Sequence, residues 1–332
     1  MREGVKEALP PWRRFVPDTY ILTILAMVVF ASLLPVRGRG AADFSLATRA
    51  AIALLFFLHG AKLSRAAVVA GLTHWRLQLT VLAATFVLFP VLGLAVRWLP
   101  VAILPAFLAQ GVLFLCCLPS TVQSSIAFTS IARGNVAAAV CAASASNLLG
   151  IFMTPALLAV TMGGHGAAFS TAELEALVVQ LFLPFLAGQL ARQWIAGWMA
   201  RHGRLVGLVD RGSILLVVYG AFSAAVVQGI WRRVSAVEIV ELMALCAIVL
   251  GVVLGATLLF ARAAGFAKAD EITIVFCGSK KSLASGVPMA GVIFPPAAVG
   301  LMVLPLMIFH QLQLMACALI AQRYAARPAE EA

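Results

Sequence analysis

Two adjacent lysines, Lys280 and Lys281, lie inside the otherwise apolar stretch 272–294, where the chain reads FCGSKKSLASG (276–286). A charge at the centre of a bilayer costs about 2.5–3.5 kcal/mol on the mildest scale, so two are retained only where something meets them. Gly278 offers a backbone that can break, and Ser279, Ser282 and Ser285 offer hydroxyls. A second polar interruption reads CLPSTVQSS (117–125): Pro119 blocks regular helix, and Ser120, Thr121, Gln123, Ser124 and Ser125 follow. Hydroxyls, freed carbonyls and ammonium groups together handle charge: they hold a cation, receive an anion or move a proton. Covalent catalysis is not indicated. There is no carboxylate dyad, no metal-ligand spacing and no serine with a His–Asp relay.

The elements that must position these residues follow from composition. Of 332 residues, 63% are hydrophobic and 11% charged, with mean hydropathy +1.03. Soluble domains run at about 45–50% apolar and about 25% charged. The excess is spread along the whole chain, and the short alternating segments of a membrane β-barrel are absent, so the chain reads as an all-α polytopic membrane protein. Ten spans are predicted, at 17–36, 46–61, 73–98, 104–131, 136–162, 174–194, 213–230, 237–261, 272–294 and 298–322. This leaves an N-terminal segment 1–16, five-span halves 17–162 and 174–322, and a tail 323–332. Ten spans put both termini on one side. If that side is cytoplasmic, only Arg37, Arg39, Arg49, Arg97, Arg232 and Arg233 lie opposite. The other Lys and Arg outside the spans lie with the termini, as expected in a bacterial inner or plasma-type membrane. The net charge of +11 is therefore read as orientation and not as a nucleic-acid surface. The six cysteines all fall in apolar segments and are expected to be buried, reduced thiols.

The two interruptions are related by a common offset. His59-Gly60-Ala61 maps onto Tyr219-Gly220-Ala221 at a shift of 160, and the same shift carries Cys117 to Cys277. Five spans per half make such halves inverted repeats, and broken helices at equivalent places are the mark of a secondary transporter's binding site. Ser144, Ser146 and Ser130 also read as small residues for close helix packing, as do Gly and Ser elsewhere.

These residues resemble the bile acid:sodium symporter superfamily, most closely the branch of member seven of solute carrier family ten. The resemblance covers nearly the whole chain and is carried by CLPSTVQSSIAFTSIARGNVAAA (117–139), SNLLGIFMTPALL (146–158) and FCGSKKSLASGVPMA (276–290). It implies two inverted five-helix repeats, with spans three to five and eight to ten as a core domain. Spans one, two, six and seven form a panel domain, and the unwound helices four and nine cross in the core. Substrate binds between core and panel by alternating access. The resemblance also implies where sodium would be held, and there this chain departs. The family's Ser-Asn pair matches Ser124-Ser125, its fifth-helix hydroxyls match Ala139 and Ala143, its third-helix Gln matches Thr85, and its ninth-helix Glu and Gln match Phe276 and Lys280. No Asp or Glu lies in the core of any predicted span. Sodium is thus possible by family analogy and disfavoured by the residues, and no other cofactor is expected.

Three readings of the lysines stand together. An ammonium can replace the bound ion at the crossing; a lysine can face the cavity and attract an anion; a buried lysine can carry a coupling proton. Lys280 is assigned to ion replacement and Lys281 to the substrate side. Ser144, Asn147 and His310 join the candidates, and His310, Gln311 and Gln313 read equally as packing hydrogen bonds. The expected function is secondary transport of a small organic anion by a monomer in a lipid bilayer. The alternative is a non-transporting membrane regulator or scaffold with a transporter-derived fold.

Overall fold

The computed structural model describes residues 19–62, 74–100, 104–162, 178–227, 229 and 234–327. Among them there is no strand. The helices are α1 (Thr19–Leu33), α2 (Arg39–Lys62), α3 (Trp75–Arg97), α4 (Ala106–Cys117), α5 (Gln123–Ile131), α6 (Val136–Met162), α7 (Leu183–Arg201), α8 (Gly203–Val227), α9 (Ala236–Ala263), α10 (Lys268–Gly278), α11 (Leu283–Ile293) and α12 (Pro296–Ala325). Local signals explain several ends. Ser235 and Glu238 form a capping box before α9, the Ser235 N–H donating to Glu238 Oε2 at 2.6 Å and the Glu238 N–H to Ser235 Oγ at 3.2 Å. Pro296 opens α12, where its missing N–H costs nothing.

Gly40–Lys62 of α2, and α3, α6, α8, α9 and α12, are long and apolar enough to cross a membrane; Leu22–Leu33 of α1 and all of α4 are shorter apolar helices. Large apolar side chains such as Val87, Val160, Leu208 and Leu259 stand outward on these helices, which suits lipid and not water. The chain is a polytopic integral membrane protein.

Helices or helix pairs overlie the predicted segments, and α6 runs over the predicted 136–162. Others run longer. α2 starts at Arg39 instead of 46, α7 reaches Arg201 instead of 194 and α8 starts at Gly203 instead of 213. Charged turns end the apolar stretch but not the backbone hydrogen bonding. The predicted 104–131 and 272–294 are each two helices with a break. The predicted segment 1–16, residues 174–177 of the sixth span and the tail beyond 327 lie outside the described residues. The tail expected from 323 begins inside the last turn of α12.

Packing falls into two groups. α1 lies on α8, and α2 lies on α7 and α8. α3 to α6 and α9 to α12 pack on one another, with α8 also meeting α11 and α12. At the α2–α7 crossing the backbones touch: a Cβ on Gly60 would strike the Phe185 carbonyl, and one on Gly188 the Phe57 carbonyl.

α3 carries a π turn at Ala84–Leu88, closed by the Phe89 N–H on the Ala84 carbonyl. The next bond of that pattern would run from residue 90 to the Thr85 carbonyl. Residue 90 is proline and has no N–H, so that carbonyl is left for another donor.

Candidate functional site

The two breaks meet. α4 ends where Leu118 turns extended (φ −77°, ψ 157°) ahead of Pro119. α10 ends at Gly278, and Ser282 caps α11 by accepting the Ser285 N–H at 3.1 Å. Helix ends leave carbonyls without intrahelical donors, and inside a membrane protein each must be met from elsewhere in the chain. Here they are met across the crossing. Ser120 Oγ donates to the Cys277 carbonyl at 2.6 Å and Ser125 Oγ to the Phe276 carbonyl at 3.1 Å. The Ser282 N–H donates to the Pro119 carbonyl at 2.9 Å. From α6, Thr154 Oγ1 reaches the Cys117 carbonyl at 2.8 Å, Asn147 Nδ2 the Ser120 carbonyl at 2.7 Å, and Ser146 Oγ accepts the Ser120 N–H at 2.9 Å. Ser285 Oγ closes the circuit on Asn147 Oδ1 at 2.6 Å.

Both lysines are wholly buried in this crossing. Lys281 Nζ donates to the carbonyls of Thr85, Cys116 and Leu118 at 2.8, 2.8 and 2.6 Å, and sits 4.1 Å from the centre of the Phe89 ring. These are the acceptor freed by Pro90 and two freed by the end of α4. Three carbonyls match the three N–H of an ammonium, whereas a neutral amine would turn its lone pair on one of them. Lys280 Nζ donates to one oxygen, the Ser124 carbonyl at 2.9 Å, and lies over the Phe128 and Phe276 rings at 4.2 and 5.2 Å. No Asp or Glu enters these bonds. The Lys281 backbone is gripped by Gln313, whose Oε1 accepts its N–H at 2.8 Å and whose Nε2 donates to its carbonyl at 3.0 Å. That Nε2 also donates to His310 Nδ1 at 2.8 Å.

The surroundings of the two lysines differ from those expected. Ion replacement is expected at Lys280, yet its nitrogen meets one oxygen where that of Lys281 meets three. Lys281, expected to face substrate, is shut away with its donors taken. Both lie in the non-helical stretch between α10 and α11, and their ammonium groups reach different partners.

Thr85, Pro119, Ser120, Ser125, Asn147, Gly278, Ser279, Ser282 and His310 gather at the crossing. Ser279 Oγ bonds back to the Val275 carbonyl at 2.6 Å. Thr121 Oγ1 bridges Ser124 Oγ and Ser125 Oγ at 2.8 and 2.9 Å. Ser144 takes no part in these bonds; Ser146 does. Gln123 is exposed, and lines a cavity of about 460 Å³ with Lys62 and Arg192. Thr154, Phe89 and Phe128 are not among the residues singled out in the sequence, and Ser146 and Gln313 read there as packing residues. Ser146, Gly150 and Thr154 stand at i, i+4 and i+8 on α6, and a Cβ on Gly150 would meet Pro119. That spacing was the available signal for a face of α6 laid on the break.

At the far end of α10, Glu271 accepts from Lys268 Nζ at 3.0 and 3.1 Å, Arg262 Nε at 3.3 Å and Tyr324 Oη at 2.8 Å. Burial pushes its carboxyl up, but these bonds and charges outweigh burial and hold it below its ordinary value.

Residues 18–326 match the SBF-like CPA transporter family. The chain is 55% identical to an uncharacterized protein of Pseudomonas aeruginosa, over 95% of each chain. It is 53% identical to the Escherichia coli protein named "Putative symporter YfeH", over 92% of each. Sodium/bile acid cotransporter 7 of Rattus norvegicus is 29% identical, over 80% of this chain and 79% of its own.

Proposed function

The chain belongs to the SBF-like CPA transporter family, within the bile acid:sodium symporter superfamily, and on that premise we propose that it carries a small organic anion by alternating access, with Lys281 standing where a coupling cation would otherwise neutralise the crossing. It is a transporter-family protein and not an enzyme. The observation that carries the reading is the Lys281 ammonium on three freed carbonyls. A fixed ammonium supplies the charge an ion would bring but cannot leave with the solute. The residues at the crossing do not fit a sodium site of the family's kind: no carboxylate is there, and the carbonyls already accept from lysine.

Ten spans in two inverted repeats support the mechanism. Second half-helices begin at Gln123 and Leu283, 160 positions apart (283 less 123), the offset that relates Cys117 to Cys277. Contacts pair up the same way: α2 on α7 answers α8 on α1, α3 on α4 answers α9 on α10, and α4 on α12 answers α10 on α6. The group α1, α2, α7 and α8 suits a panel, the remainder a core, and the bias of basic residues supports both termini in the cytoplasm.

Solute flux into proteoliposomes tests this reading. Counterflow of a labelled organic anion, at equal rates in sodium and in potassium, is expected. Flux that needs a sodium gradient refutes the built-in cation. No flux with any anion that binds favours the regulator or scaffold.

A further inference from the structure

Lys280 and Lys281 are spent inside the crossing, so the charge that reads an anion must lie elsewhere. The cavity of about 460 Å³ offers it. Past the touching backbones at Gly60 and Gly188, α2 ends at Lys62 and α7 continues to Arg192, and both residues line this cavity. Gln123, the first residue of α5, also lines it. α5 has no side-chain cap at its start, so the positive end of its dipole adds to the two cations. The remaining walls are small or apolar, with Met199 and Val206 the largest. The volume falls at the lower end of the range for small-molecule sites.

We propose that Lys62 and Arg192 form the head-group site for an oxyanion (carboxylate, sulfate or phosphate) on a small solute with a short apolar body. The inference rests on the transport reading and deepens it. The guanidinium grips two oxygens in its plane, Lys62 adds a point charge, and the Gln123 amide donates from the opposite wall. α2 and α7 belong to one packing group and α5 to the other, so a bound oxyanion joins the two groups at the start of α5.

Thermal unfolding of the full chain in nanodiscs tests this, with sulfate, inorganic phosphate and butyrate titrated against chloride at constant ionic strength. At least one is expected to raise the melting temperature saturably. Arg192→Gln should weaken that response about tenfold or more, Lys62→Gln less, and Arg192→Lys should recover part of it. Where Arg192→Gln melts early without any anion, Arg192→Lys and Lys62→Gln carry the comparison. A second arm exchanges zwitterionic for anionic phospholipid. A shift dependent on Arg192 in either arm upholds the oxyanion site and names its source as a solute or a lipid head group. Equal responses in wild type and variants, or none in either arm, overturn it. Counterflow on the same variants separates the two claims: flux that persists without Lys62 and Arg192 sinks this site alone, and saturable binding without flux sinks the transport reading alone.

Discussion

Lys280 and Lys281 are adjacent and equally buried, and none of their bonds is to a carboxylate, yet their surroundings differ. Lys281 meets three carbonyl oxygens and one ring; Lys280 meets one carbonyl and two rings. Three oxygens at 2.6–2.8 Å make a partial cation-coordination shell with nitrogen at its centre. One oxygen and two aromatic faces make a seat for a cation that nothing else would fill. The same side chain thus sits in one place within a shell of carbonyl oxygens and in the next between aromatic rings. What decides between the roles is the supply of orphan carbonyls, and that supply comes from Pro90 and from the end of α4.

The largest effect should come from removing Lys281. Lys281→Met strands three buried acceptors, each worth about 1–3 kcal/mol when unsatisfied, so a loss of about 3–5 kcal/mol is expected as a large fall in melting temperature. Lys281→Ala leaves the same carbonyls around a void. Sodium or thallium should then stabilise it saturably, by the binding term RT ln(1 + [L]/Kd), where the parent is indifferent. An alanine variant as stable as the parent, or blind to both ions, would dissolve the contrast between the two lysines.

A double substitution sharpens the origin of the contrast. Pro90→Ala restores an N–H opposite the Thr85 carbonyl. In the Lys281→Met background it should recover about 1 kcal/mol, while alone it should cost stability or leave it unchanged. A coupling energy near zero in the four-variant cycle would show that Pro90 does not create the acceptor Lys281 serves.

Lys280→Met should cost less than Lys281→Met, about 1–2 kcal/mol for one carbonyl and the ring contacts, with no response to sodium. Phe128→Leu should remove part of the same energy, so the two changes together should cost less than their sum. Equal losses for the two lysine variants would mean that the oxygen count does not govern.

How far this was legible follows from particular residues. Pro119 and Gly278 announced the breaks, and Ser120, Ser125 and Asn147 announced a polar crossing, because side-chain types are written in the chain. The acceptors of Lys281 are backbone carbonyls, identical at every residue, and only Pro90 hinted that one would be free. Nor could helical periodicity place the two lysines, since they sit where α10 has already ended. Ser144 was preferred to Ser146 without knowledge of which face of α6 meets Pro119. Gln123 was grouped with its neighbours by proximity, although it opens α5 toward the cavity instead of the crossing.

The smallest predicted effect lies at the other end of α10 and tests what the buried pair is being compared with. There Lys268 and Arg262 meet a true carboxylate, Glu271, and the Arg262 side chain is 56% exposed. Because the Glu271 carboxyl is held below its ordinary value of 4.5, its contribution is full above that pH and fades as pH falls through the lower, folded value. Solvent screening of its exposed partners keeps the contribution to about 1 kcal/mol or less. Glu271→Gln should therefore melt slightly below the parent at pH 7, and the two should converge as pH is lowered toward 3. Raising salt at pH 7 should narrow the same gap, because exposed ion pairs are screened. The Lys281→Met deficit should be unchanged by salt, since its carbonyl partners carry no net charge and are buried. A Lys281 deficit that shrinks with salt as the Glu271 deficit does would mean that the ammonium is balanced by a distant charge and not by the three carbonyls.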